Sequence, residues 1–66
     1  MARDEWPLLL TIPQAAAQLN IGRTTIYELI ASGDIRAVHV GRLVRIPYRN
    51  LVEFVERLEQ REDGVR

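Results

Sequence analysis

Apolar residues recur with helical spacing in three stretches of this 66-residue chain, and they alternate with polar residues between the second and third stretches. The helical spacing predicts a first helix that begins at about Ile12 and ends at Asn20, a second over 23–32 and a third that begins at Tyr48. The alternating stretch, DIRAVHVGRLVRIP, predicts two antiparallel strands, and residues 8–10 can add a very short one. The pattern therefore predicts a mainly α fold with a small β-hairpin.

The connection between the first two helices is short. Thr11 and Gln14 have the spacing of a capping box at the start of the first helix, and Asn20 suits a left-handed residue at its end. Ile21 is an apolar residue inside the turn, which places it between the helices, and Gly22 is an acceptable N-cap for the second helix. Two helices joined in this way predict a helix-turn-helix.

The second helix is expected to have two different faces. At about 100° per residue, Ile26, Leu29 and Ile30 fall on one face and would pack against the core. The opposite face carries small and hydrogen-bonding groups, namely Thr24, Tyr27, Glu28 and Ala31. An ordinary solvated helix more often carries Glu-Lys pairs, whereas compact groups suit a close approach to base edges in a major groove.

The alternating stretch also predicts a strand register. Val40 and Val44 lie on the same, inward side of the hairpin only if the loop has about three residues, 41–43. In that register His39 and Arg45 share the outer face.

Charge is unevenly distributed along the chain. Nine arginines balance nine acids overall, but residues 23–49 hold five arginines against two acids, and residues 50–66 hold three against five. Arg42 lies at the tip of the hairpin and Arg36 at its base, so the hairpin would be a basic wing. The elements together predict a winged helix-turn-helix with three helices and an antiparallel wing of two or three strands. Because arginine suits phosphates and guanine edges, the basic middle favours a nucleic-acid partner.

Composition argues against catalysis and against bound cofactors. The chain has no cysteine, one histidine and no pair of inward-facing acids, which leaves no nucleophile, base or metal cluster to assemble. We therefore expect neither an enzyme nor a cofactor. The longest apolar run is too short to span a bilayer, so we expect no membrane partner and a cytoplasmic protein, associated with the nucleoid of a bacterium or phage-infected host.

The winged domain is expected to occupy residues 8–59. Residues 1–7 would form a flexible polar arm with one large aromatic residue, Trp6, which could cover the flank of a small core or dock elsewhere. Residues 60–66 are polar and are expected to fray.

Several segments match, in order and spacing, the pattern of one family. They are a leading LLT, an alanine-rich first helix, NIGRTTIYELIASGDI, AVHVGRLVRI and a closing LVEFVERL. Over residues 8–58 the chain resembles the excisionase family of small winged helix-turn-helix DNA-binding proteins, which are similar in topology to MerR-type DNA-binding heads. The resemblance implies a protein that binds and bends DNA near an attachment site and helps an integrase to excise a phage or mobile element. A small transcriptional regulator of the same fold is the alternative.

The resemblance also implies how DNA would be bound. The second helix would enter the major groove of double-stranded DNA, and the wing would reach an adjacent minor groove. Carried over by position, the contacting residues are Arg23, Thr24, Thr25, Tyr27 and Glu28 on the helix and Arg42 on the wing. The basic hairpin adds Arg36 and Arg45 as candidates. Two positions depart from the family, since Glu28 stands where a basic residue is common and Gly22 where serine is common.

These candidates have ordinary structural alternatives. Thr24 and Thr25 could satisfy free backbone amides at the helix start. Tyr27 could lie on the edge of the core and still offer its hydroxyl to a phosphate. Arg42 and Arg45 could be solvated hairpin charges, although arginines beside a glycine turn suit a narrow groove of negative potential. A winged domain used only for protein contact is disfavoured by this basic and hydrogen-bonding set.

The third helix carries acids on its outer face. Glu53, Glu56 and Glu59 would be repelled by phosphate, so this face should point away from DNA. It could be a solvated surface, supported by a pair between Glu53 and Arg57. Alternatively, it could contact the basic side of a neighbouring copy, which would give cooperative head-to-tail binding along DNA.

Overall fold

A computed structural model describes residues 7–61, which form three helices and a three-stranded antiparallel sheet. In chain order the elements are β1 (Leu9–Leu10), α1 (Ile12–Leu19), α2 (Arg23–Ser32), β2 (Val38–Val40), β3 (Leu43–Pro47) and α3 (Tyr48–Arg61). The strands lie in the order β1-β3-β2. The predicted fold, a mainly helical winged helix-turn-helix, is confirmed.

The predicted arm and tail fall almost entirely outside the described residues. Trp6 and the rest of the range 1–6 lie outside them, as do residues 62–66. α3 continues to Arg61, so the first two residues of the expected tail are helical. A cation in the last turn of a helix interacts favourably with the helix dipole, so Arg61 stabilises the last described turn of α3.

Local side-chain chemistry determines where α1 begins and ends. The Gln14 backbone amide donates to Thr11 Oγ1 at 3.1 Å, and the Thr11 amide donates to Gln14 Oε1 at 3.0 Å, which is the predicted capping box. At the other end, Asn20 has φ 59° and ψ 44°, the predicted left-handed conformation. Its amide donates to the carbonyls of Ala16 and Ala17 and so satisfies groups that the helix leaves free.

The two helices of the helix-turn-helix meet through small and apolar residues. Ala15 and Ala16 are buried on α1, and their small side chains allow Ile26 of α2, which is fully buried, to approach closely. Ile21 in the turn is half-buried and packs against this core, as predicted. α2 then ends at Gly33, whose φ of 87° is the left-handed conformation that favours glycine.

The core of the described residues is entirely apolar. No polar or charged side chain in residues 7–61 is buried. The buried side chains are Leu10, Ile12, Ala15, Ala16, Ile26, Ile35, Ile46, Leu51 and Phe54. On α3, half-buried Val55 and Leu58 extend the row that Leu51 and Phe54 begin, so one apolar stripe of this helix packs against the core.

The predicted register of the hairpin is wrong. Val40 pairs with Leu43, and His39 pairs with Val44, so Val40 and Val44 lie on opposite faces. The loop has two residues, Gly41 and Arg42, and Gly41 has φ 62°. A positive φ at only the first central residue is the pattern of a type II′ turn, whose twist matches that of the paired strands.

The error came from the assumption that the valines of β2 are buried. Val38 and Val40 are 38% and 50% exposed, whereas Ile46 of β3 is fully buried. The strand β2 projects beyond a core that the other elements fill, so neither of its faces has to be buried. The turn chemistry at Gly41 was therefore a better guide to the register than the alternation of apolar residues.

We expect Gly41→Ala to lower the free energy of unfolding by about 1 to 2 kcal/mol, because an L-residue is strained at positive φ. A Cβ at this position would meet no atom within 4 Å, so crowding contributes nothing. D-alanine at the same position in a synthetic chain is the matched control and should be tolerated. Urea unfolding followed by circular dichroism measures both effects. Equal stability of the L-alanine variant and the native chain would contradict the two-residue turn.

Candidate nucleic-acid interface

The outer face of α2 is free of contacts with the core. Arg23, Thr24, Thr25, Tyr27 and Glu28 are all exposed, and Tyr27 exposes 58% of its surface. The phase of the helix was predicted correctly, because fully buried Ile26 and half-buried Leu29 and Ile30 lie on the inner face. The five candidate residues of this helix are thus available together on one element.

The start of α2 has no side-chain cap. Gly22 is the N-cap, with no side-chain hydrogen bond, and the first turn of α2 contains no acid. Within residues 7–61, neither Thr24 nor Thr25 makes a hydrogen bond to the backbone, so the structural alternative for these threonines is not realised. The first amides of the helix therefore remain as donors beside Arg23, an arrangement that suits an anionic oxygen.

At the position of Gly22, the resemblance drawn from the sequence implies that serine is common. A Cβ at Gly22 would meet nothing within 4 Å, so a serine side chain would fit. Glycine here removes a hydroxyl from the helix start without any packing reason, and it leaves the approach to the first amides open.

The wing presents three arginines in different settings. Arg42 is exposed at the tip of the two-residue turn, and Arg36 is exposed two residues before β2. Arg45 pairs with Val38 and is half-buried. It therefore lies on the opposite face from His39, and the prediction that the two share the outer face is wrong. Its Nη1 donates to the Val44 carbonyl at 2.8 Å, which holds the guanidinium along the strand and leaves its other donors available.

The corrected register brings Arg45 to the same face as an apolar row. Val40 and Leu43 are paired, and Val38 is paired with Arg45, so these four side chains lie on one face of the hairpin. The three apolar members are 38% to 52% exposed. Sequence reasoning missed this row because it assigned the valines to the core. A surface of this kind can contact deoxyribose carbons while the arginines reach phosphates.

The acidic face of α3 is exposed, as its sequence pattern predicts. Glu53, Glu56 and Glu59 all reach solvent. Arg57, for which a pair with Glu53 was one alternative, donates from Nη2 to the Asp34 carbonyl at 2.6 Å. Asn50 likewise donates from Nδ2 to the Arg36 carbonyl at 2.9 Å. Both contacts join distant parts of the chain, and no local sequence pattern predicts them.

A model of the helix-turn-helix domain family matches residues 9–59 of this chain. A protein from Streptomyces ambofaciens named "Excisionase" is 30% identical over 50 residues, which cover 76% of this chain and 81% of that protein. The chain belongs to the excisionase family of small helix-turn-helix DNA-binding proteins. Excisionases of this kind are binding proteins and not enzymes, and DNA is the partner that the family implies.

Two further relatives show how far the family likeness extends. A "Probable excisionase" from Saccharopolyspora erythraea is 49% identical over 51 residues, which cover 77% of this chain and 52% of that protein. A relative from Mycobacterium tuberculosis, whose name mentions DNA binding, is 33% identical over 48 residues, which cover 73% of this chain and 62% of that protein. The chain thus spans about half the length of the Saccharopolyspora excisionase. Among residues 7–61, no helix is long and apolar enough to cross a membrane.

Proposed function

We propose that this protein is a sequence-specific excisionase that binds and bends DNA beside an attachment site and promotes integrase-mediated excision of a phage or mobile element. The observation that carries the proposal is that α2 leaves five polar candidates exposed to solvent while the same small domain carries a hairpin with an arginine at its tip. Excisionase relatives that match most of the chain support the same activity. Such a protein would act in the cytoplasm, on the nucleoid.

In this proposal α2 lies in the major groove. Arg23 can bind a guanine edge through two donors or bind a phosphate, and Thr24 and Thr25 can bond to bases or phosphates. Tyr27 extends well out from the helix and can offer its hydroxyl to the backbone. Glu28 is an acceptor, so its natural partner is the amino group of a cytosine, and phosphate would repel it. The helix would therefore read a site that contains a C·G pair opposite Glu28.

The wing would contact an adjacent minor groove. Arg42 at the tip suits a narrow groove, where negative potential is concentrated. Arg36 and Arg45 would contact phosphates on either side, and the row of Val38, Val40 and Leu43 would lie against sugars. Contacts to two grooves from one rigid domain favour DNA that curves toward the protein, which is the physical basis of the proposed bending.

The acidic face of α3 suits contact with a neighbouring copy. Glu53, Glu56 and Glu59 are exposed, and the α2 and wing side of the domain is rich in arginine. Copies bound in the same orientation on adjacent sites would bring an acidic face to a basic one, and this contact does not close on itself. We propose that copies bind cooperatively in this head-to-tail manner.

A small transcriptional regulator of a phage or element remains the second candidate. The observation that favours it is the Mycobacterium tuberculosis relative, whose name mentions DNA binding and no recombination. Both functions use the same DNA contacts, so they differ only in whether an integrase needs the protein.

The first prediction about DNA binding concerns the two arginines proposed to contact different grooves. Arg23→Ala should weaken binding to the attachment-site fragment by about 1 to 3 kcal/mol and relax preference at one base pair. Arg42→Ala should weaken binding to all sequences similarly and reduce the slope of log affinity against log salt by about 1. Fluorescence anisotropy over a salt series measures both quantities.

Arg61→Ala is the control for these variants, because it removes an exposed arginine from the far end of α3. It should leave affinity and sequence preference almost unchanged. If the Arg23 and Arg42 variants bind as tightly as the native protein, the proposed surface is wrong. It is also wrong if the affinity of the native protein does not change with salt.

The second prediction concerns neighbouring copies. Changing Glu53, Glu56 and Glu59 together to glutamine should preserve affinity for a single site, because these acids face away from the DNA. The same change should reduce cooperativity on a fragment with two adjacent sites in the same orientation, measured by quantitative footprinting. If the native protein binds the paired sites with no higher affinity than two independent binding events give, the head-to-tail contact is excluded.

The third prediction separates the excisionase from the regulator. Adding the native protein to the integrase encoded with its element should increase excision from a substrate that carries both attachment sites. The variant with Arg23→Ala and Arg42→Ala combined should not do so, because it lacks both groove contacts. Unchanged excision together with a change in transcription from a promoter of the element would favour the regulator.

A further inference from the structure

The loop between α2 and β2, residues 33–37, is fixed at three consecutive positions. The Ile35 side chain is 1% exposed and inserts into the core. On either side of it, the Asp34 carbonyl accepts a hydrogen bond from Arg57 at 2.6 Å, and the Arg36 carbonyl accepts one from Asn50 at 2.9 Å. This loop is the covalent link from the candidate recognition helix to the wing. The Ile35 amide also donates to the Leu29 carbonyl of α2 at 3.1 Å, and α3 supplies the two hydrogen bonds that flank Ile35.

The two donors lie on the same side of α3. Asn50 and Arg57 are seven residues apart, which is about two helical turns, or roughly 10 Å along the axis. α3 also follows β3 without a break, because β3 ends at Pro47 and α3 begins at Tyr48. The wing strand β3 is therefore joined directly to α3 by the chain. The other wing strand, β2, is linked to α3 near the base of the wing by the hydrogen bond from Asn50.

Arg57 makes its contact just beyond the end of α2. The Asp34 carbonyl follows Gly33, the C-cap of this helix, and a cation is favourable where helix carbonyls carry partial negative charge. The Asp34 carboxylate is engaged within its own turn, since Ser32 Oγ donates to Asp34 Oδ2 at 2.7 Å. The guanidinium therefore supports the backbone of the loop, and not its side chains.

We propose that Asn50 and Arg57 are positioning residues for DNA binding, which set the angle between the recognition helix α2 and the wing without touching DNA themselves. The inference rests on the proposed placement of α2 and the wing in adjacent grooves. Arg42 lies six residues beyond Arg36, or about 20 Å along an extended strand. A tilt of about 10° at the base would move the tip by about 3 Å, as much as the length of a hydrogen bond.

A double-mutant cycle tests the role of Asn50. Asn50→Ala should weaken binding to the attachment-site fragment by about three- to tenfold, in line with the loss of one hydrogen bond. In that background Arg42→Ala should weaken binding by no more than about twofold, because the wing is already misplaced, and Arg23→Ala should keep its full effect. Gln60→Ala, which removes an amide from an exposed position on the same helix, is the matched control and should couple to neither arginine.

A second pair of variants tests Arg57 independently. Arg57→Ala and Arg61→Ala each remove one arginine charge from an exposed position on α3, but only Arg57 holds the loop. Arg57→Ala should weaken DNA binding by about three- to tenfold more than Arg61→Ala. Both should be measured well below the midpoint of thermal unfolding, which circular dichroism defines for each variant.

The outcomes separate this inference from the proposed function. If Arg42→Ala weakens binding by the same factor with and without Asn50, and Arg57→Ala behaves like Arg61→Ala, the positioning role is wrong while the wing contact stands. If Arg42→Ala has no effect on the native protein, the proposed wing contact is wrong, and the positioning role is overturned with it.

Discussion

The α2 helix and the wing, which are proposed to contact DNA, are each held in the core by a single fully buried isoleucine. These are Ile26 of α2 and Ile46 of β3, and β2 buries no side chain. A chain of 66 residues buries a small fraction of its surface on folding, so few positions are available for packing. The result is a division in which one buried isoleucine anchors α2 and another anchors the wing, while the outer faces of both stay free.

This division makes the supports outside the core important. Residue Ile35 anchors the short link between α2 and β2, and hydrogen bonds from Asn50 and Arg57 hold the backbone on either side of it. Each exposed hydrogen bond contributes modestly, about 0.5 to 1.5 kcal/mol. In a domain with so small a core, contributions of this size would bear directly on how rigidly the wing is held.

How much the sequence could predict follows from how local each cause is. The capping box of Thr11 and Gln14, the left-handed Asn20 and the end of α2 at Gly33 depend on neighbouring residues only, and the sequence predicted all of them. The register of the hairpin depends on what the rest of the fold buries, so alternation of valines gave the wrong answer. The contacts of Asn50 and Arg57 span 14 and 23 residues of chain, and no spacing rule points to them. The family likeness predicted candidate DNA-binding residues on α2, but it did not indicate the hydrogen bonds from Asn50 and Arg57.

Among residues 7–61, the strand order β1-β3-β2 leaves one side of β2 without a neighbouring strand. An open edge that carries exposed valines is a template for pairing with the same edge of another molecule, and it therefore carries a risk of aggregation. Here the edge is only three residues long, and an exposed arginine stands two residues beyond each end, Arg36 before it and Arg42 after it. Like charges at both ends would repel an approaching copy. The same two arginines, which are proposed to bind DNA, would thus also oppose self-association of the unbound protein.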